Sequence, residues 1–83
     1  MEKIKCAAIK FEGEIYTGKR HNDVIYYMVT ECGLSIPITG EQGFITEGGK
    51  FVGRQEAKII AREAGQLLPR ASDSILLFSE DIY

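Results

Sequence analysis

The sequence predicts an α+β fold: a small antiparallel sheet of hairpins carrying two helices, in subunits that associate. Three observations predict it. Short apolar runs turn back on themselves across Glu12-Gly13 and Glu47-Gly48-Gly49, and glycine-containing loops of this length are hairpin signals. Two segments, starting near Asp23 and Arg54, change to apolar residues spaced three and four apart. A chain of 83 residues makes one domain, residues 1–83, with a modest buried surface that self-association would supplement.

Taken in order, Lys3 to Phe11 is rich in Ile, Cys, Ala and Phe and reads as the first strand, with Glu12-Gly13 as its turn and Glu14 to Thr17 as the returning strand. Gly18 closes that hairpin. Lys19-Arg20-His21 then stands directly before Asn22-Asp23, a capping side chain followed by an acid, so a helix is expected from about Asp23 to Cys32. Val24, Ile25, Met28, Val29 and Cys32 form its stripe, Gly33 suits its C′ position, and Tyr26 and Tyr27 lie off the stripe as packing or subunit contacts. Leu34 to Thr39, with Pro37, is a connector, since proline cannot donate to a strand ladder.

The second hairpin pairs Phe44 to Thr46 with Lys50 to Val52. A second helix follows at once from Arg54, with Ala57, Ile60, Ala61, Ala64 and Leu68 as a stripe thin enough to let a neighbouring backbone approach. On another face Arg54, Lys58 and Arg62 stand four apart with no acidic residue three or four positions away. This is either a solvated basic edge or part of an anion site beside the positive end of the helix. Gly65 or Leu67-Leu68-Pro69 ends the helical pattern, Arg70 to Ser74 is a polar loop, and Ile75 to Phe78 is apolar. Ser79 to Tyr83 either docks on the parent domain or on a sister chain, or frays.

Composition excludes several classes. At 45% hydrophobic and 27% charged residues the chain is globular, and a net charge of −2 argues against a general DNA binder. Two cysteines, Cys6 and Cys32, make no disulfide framework and no Cys-x-x-Cys pair; both read as small core residues in a reducing compartment. No apolar run of eighteen residues and no leader of signal-peptide type occurs, so no membrane partner and a cytoplasmic location are expected. One histidine and two dispersed cysteines supply no zinc site, and the serines sit in no nucleophile-elbow pattern. Gly43 to Lys50 misses the phosphate-loop spacing by one residue and lacks the following Ser or Thr. The expectation is therefore a binding protein, not an enzyme, with no cofactor.

Binding chemistry is easier to assemble. Phe44 beside Gly43 either stacks on a flat ligand that the glycine lets approach, or is hairpin core. Arg54 can fork to a phosphate, as can Arg70 or Arg20 if the fold brings them near. An aromatic for a base with arginines for phosphates would recognise a small nucleotide.

Ala8-Ile9-Lys10-Phe11, Tyr16-Thr17-Gly18-Lys19-Arg20-His21, Gly40-Glu41-Gln42-Gly43-Phe44, Phe51-Val52-Gly53-Arg54, Glu63-Ala64-Gly65-Gln66 and Ser79-Glu80-Asp81 together resemble the phage-encoded Thoeris anti-defence proteins of the first type. These are sponges that sequester a cyclic ADP-ribose derivative made by bacterial defence. The resemblance implies an α+β subunit that forms a homodimer and then a homohexamer, with pockets where subunits meet, and in some members a second site for cyclic di- or trinucleotides. It places stacking on Phe44 and phosphate contacts on Arg54 and Arg70, while Gly53 departs from the Asn or Asp of relatives. With the basic helix edge and the basic first-helix start, the candidate ligand-binding residues are Phe44, Gly43, Arg54, Arg70, Arg20, His21, Gly53 and Lys58. The other reading is a protein–protein inhibitor or structural interaction module that uses the basic helix edge.

Overall fold

In a computed structural model that describes residues 2–35 and 39–83, the chain forms β1 (Ile4–Phe11), β2 (Glu14–Gly18), α1 (His21–Thr30), β3 (Glu41–Thr46), β4 (Phe51–Gly53) and α2 (Arg54–Glu63), then a 3-10 turn at Ser79–Asp81. The strands make one antiparallel sheet in the order β2-β1-β3-β4. This is the α+β hairpin sheet with two helices that the sequence predicts. Pro37, in the predicted connector, lies outside the described residues.

The turns follow from backbone chemistry. Glu12 and Gly13 both take positive φ, 49° and 82°, the two-residue geometry whose twist suits a tight hairpin. At the second hairpin the three residues after Thr46 close with Gly49 at φ 89°, and the Thr46 N–H donates to the Lys50 carbonyl at 2.9 Å.

One face of the sheet carries the core. Ile4, Ala7 and Ile9 of β1, Phe44 of β3 and Val52 of β4 pack against Val24 and Met28 of α1, Ala57 and Ala61 of α2, and Leu77. Ala57 and Ala61 of the α2 stripe are thus covered by the chain's own sheet and are not offered to a sister chain, while Ala64 is half-buried.

Several boundaries differ from expectation for identifiable reasons. α1 begins at His21, because the Asp23 carboxylate accepts from the Arg20 N–H at 3.2 Å and fixes the cap there. It ends at Thr30, which leaves Cys32 exposed outside the helix and not in the core. β3 begins at Glu41 because its first residues pair with the far end of β1, Lys10 opposite Glu41. α2 starts after Gly53 as predicted, but stops at Glu63. Gly65 at φ 71° turns the chain so that the Gln66 N–H bonds the Ala61 carbonyl at 2.8 Å and the Gly65 N–H bonds the Arg62 carbonyl at 3.1 Å, a Schellman closure.

Residues 66–83 then run back as a strap over the domain. The Gln66 side chain pairs with both main-chain groups of Ile4, at 2.8 and 2.9 Å, where the β1–β3 register shifts between Ile4 and Cys6. The Asp81 carboxylate accepts from the Ser72 and Phe78 N–H groups at 3.1 and 2.8 Å. Beneath it, Lys58 Nζ lies 3.8 Å from Asp81 and donates to the Ser72 carbonyl at 2.8 Å, with both side chains buried. The strap docks on its own domain.

Candidate functional site

A cleft of about 250 Å³ opens where the start of α1, β3, the start of α2 and the strap converge, lined by Arg20, His21, Asn22, Ile25, Gln42, Arg54, Phe78, Ser79 and Glu80. Its floor is His21, which is buried. His21 Nε2 stands 2.7 Å from the Gly43 carbonyl, which only accepts, so Nε2 carries the proton. Nδ1 then accepts from the Ser79 hydroxyl at 2.6 Å, and that same oxygen accepts the His21 main-chain N–H at 3.0 Å. Burial first, then the Arg54 charge, lowers the His21 pKa; the Gly43 and Ala8 carbonyls and Glu80 oppose them. The ring is a neutral post that pins the strap to β3.

Arg54 forms one wall. Its guanidinium donates to the Leu77 carbonyl at 2.6 Å and to the Gln42 side chain, and it lies 5.1 Å from the centre of the Phe78 ring. The Leu77 N–H returns a 2.9 Å bond to the Arg54 carbonyl. Burial lowers the Arg54 pKa, with Glu80 and Asp81 acting against it. Arg20, exposed at the rim, brings a second guanidinium to the cleft and donates to the Tyr83 main-chain oxygen at 2.7 Å. Two planar cations, two amides and one aromatic ring can together hold a phosphorylated, hydrogen-bonding ligand.

The structure sorts the predicted residues. Arg20, His21 and Arg54 meet in the cleft. Phe44 does not: it is fully buried, its ring edge-on to His21 at 4.9 Å, so it is hairpin core with no face to offer a ligand. Gly43 serves a close approach of another kind, since a Cβ there would lie 2.3 Å from the Val52 carbonyl oxygen and 2.7 Å from the Phe51 ring. It lets β3 and β4 pack and gives its carbonyl to His21. Lys58 is inside, paired with Asp81, so the predicted basic edge is interrupted at its middle residue. Arg70 binds the Tyr83 main-chain oxygen at 2.7 Å and secures the end of the strap. Gly53 caps α2 beside a separate, shallower groove with Ile59 and Leu76, and a Cβ there would meet only the Glu41 carboxylate, at an ordinary contact distance of 4.0 Å.

Residues 3–83 match the family model described as phage T4 y16D protein. The chain belongs to this family. The match spans every cleft residue and the whole strap, so both are part of the y16D domain and not appendages to it. No curated protein and no solved structure matches the chain.

Gln42, Phe78, Glu80 and Ser79 are cleft residues that sequence reasoning did not select. They become neighbours only when the strap crosses the start of α1, and no local spacing announces that. Among the described residues no cluster of three His, Cys, Asp or Glu side chains is placed to hold a metal ion, and no helix is long and apolar enough to cross a membrane.

Proposed function

We propose that this y16D-family protein is a phage anti-defence sponge that binds a cyclic ADP-ribose-type signal in the Arg20–Arg54 cleft and releases it unchanged. The observation that carries the reading is the placement of two guanidinium groups, the Asn22 and Gln42 amides and the Phe78 ring around one recess. Arginine forks suit phosphate oxygens, and the amides suit the edges of a base or sugar. Phe78 takes the aromatic role that the sequence reading gave to Phe44.

At about 250 Å³ the recess is smaller than a complete small-molecule site, so it holds part of a cyclic ADP-ribose. A second copy of the chain would cover the rest, which is how the homodimer, and a hexamer built from it, enters the proposal. Cyclic di- or trinucleotides, if held, would occupy a different site. The test is recovery: a bound cyclic ADP-ribose isomer is incubated with the protein, released by denaturation and chromatographed. Intact ligand supports a sponge, and a linear product refutes it.

The second reading, a protein–protein inhibitor, is favoured by one observation. Ile59, Ile75 and Leu76 are exposed, at 51%, 67% and 37%, and Ile59 and Leu76 line the shallow groove beside α2. A protein partner would meet that apolar patch and not a basic edge, because Lys58 is buried.

A further inference from the structure

Two adjacent acids on the strap have opposite circumstances. Asp81 is buried and fully engaged by Lys58 and by the Ser72 and Phe78 N–H groups. Glu80, one residue earlier, is exposed and lines the cleft shared by Arg20 and Arg54, yet among the described residues it forms no ion pair with either. Its carboxylate also accepts no side-chain hydrogen bond there, although it is close enough to bear on Arg54 and His21 electrostatically.

A carboxylate in an arginine-lined recess works against a ligand that is only an anion. It repels phosphate oxygens and weakens the field of the two guanidinium groups. It suits a ligand that brings hydroxyl donors alongside its phosphate, since an ionised carboxylate accepts strongly and cannot donate. A ribose phosphate carries both kinds of group.

We propose that Glu80 is the specificity-determining residue of the cleft, accepting from a ribose hydroxyl and thereby selecting ribose phosphates over deoxyribose phosphates and over plain polyphosphate. This rests on the nucleotide-binding reading of the same cleft. It assigns phosphate to Arg20 and Arg54 and sugar to the strap.

The experiment is calorimetry with four probes: cyclic ADP-ribose, its two monodeoxy analogues lacking the 2′-hydroxyl of one ribose or the other, and inorganic pyrophosphate. Each is titrated into the parent and into Glu80→Ala, an exposed position whose variant is checked for fold by circular dichroism. The parent is expected to bind one deoxy analogue about tenfold or more weakly than cyclic ADP-ribose, the scale of a lost hydrogen bond to a charged group. Glu80→Ala is expected to bind the two alike, while its affinity for pyrophosphate rises. A ribose-to-deoxyribose ratio that is the same in parent and variant, or a parent that does not discriminate, overturns the role of Glu80 and leaves the binding reading standing. A parent that binds no cyclic ADP-ribose overturns the binding reading, and this inference with it.

Discussion

Replacing Lys58 with Met keeps most of the side-chain volume and removes the charge, which isolates what the buried cation does for the strap. In the parent, Lys58 Nζ is 3.8 Å from Asp81 and 2.8 Å from the Ser72 carbonyl, with side chains 2% and 4% exposed for Lys58 and Asp81. After Lys58→Met the Asp81 carboxylate keeps two N–H donors but loses its counter-charge, and the Ser72 carbonyl loses a donor. Breaking a buried pair from one side costs about 3–5 kcal/mol. A domain of this size has roughly 4–12 kcal/mol of stability in total, so the loss is a large fraction of it. With about 4–8 °C per kcal/mol for a small domain, the melting temperature falls by at least roughly 12 °C. The control is Lys50→Met, which breaks the exposed Lys50–Glu56 pair at 3.4 Å, with side chains 64% and 55% exposed; such pairs contribute about 0–1 kcal/mol. Denaturant unfolding followed by circular dichroism, at one protein concentration, reads both. A Lys58→Met variant as stable as Lys50→Met would refute the reasoning that a buried ion pair fastens the strap.

The remaining predictions concern the core, the histidine and the helix cap. Phe44→Ala should cost about 3–5 kcal/mol in urea unfolding, as a truncated core aromatic does; a folded, fully stable variant with a lost ligand would return Phe44 to the binding site. Gly43→Ala should be destabilised by about 1–3 kcal/mol or more in the same assay, because its Cβ meets the Val52 main-chain oxygen and not a mobile side chain. For His21 the folded pKa lies below the unfolded value near 6.5, so the unfolded chain binds more protons just below that pH and its contribution to stability is lost as pH falls from about 6.5 toward the folded pKa. The melting temperature of His21→Gln should therefore depend less on pH across that window than the parent's, and a parallel pair of curves would count against a neutral buried ring. Gly53→Asn should gain a few tenths of a kcal/mol as a better helix cap, since the backbone there is extended and an added Cβ meets nothing closer than the Glu41 carboxylate at 4.0 Å.

The parts of the fold that depend on neighbours in sequence were legible in it. Glu12-Gly13 and Glu47-Gly48-Gly49 announce hairpins through turn chemistry, and Gly53 followed by the spacing of Ala57, Ile60 and Ala61 announces α2. Docking of the chain's end on its own domain is one of the readings the sequence allows, but the fastenings of the strap are not legible, because they join residues far apart in the chain: His21 to Ser79, Lys58 to Asp81, Arg54 to Leu77. Each is a polar or charged side chain whose role is decided by burial. Burial also decides between the two readings of Phe44, which has the same sequence surroundings as a stacking residue and as a core residue. Of the candidate site, the two arginines that meet, Arg20 and Arg54, were chosen on their chemistry. Phe78, Gln42 and Glu80 were missed because only the crossing of the strap makes them neighbours.

Light scattering at micromolar concentration should find a dimer or a multiple of it, since a second copy completes the site; a monomer alone would overturn that part of the proposal. The cleft itself is tested most directly by titrating cyclic ADP-ribose isomers into the parent and into Arg20→Ala, a rim substitution outside the core. One isomer should bind the parent with one equivalent per chain, and the variant should bind it about tenfold or more weakly, as expected for a lost charge-assisted contact. No binding of any isomer by the parent, or equal affinity in parent and variant, would contradict the assignment of this cleft as the nucleotide site.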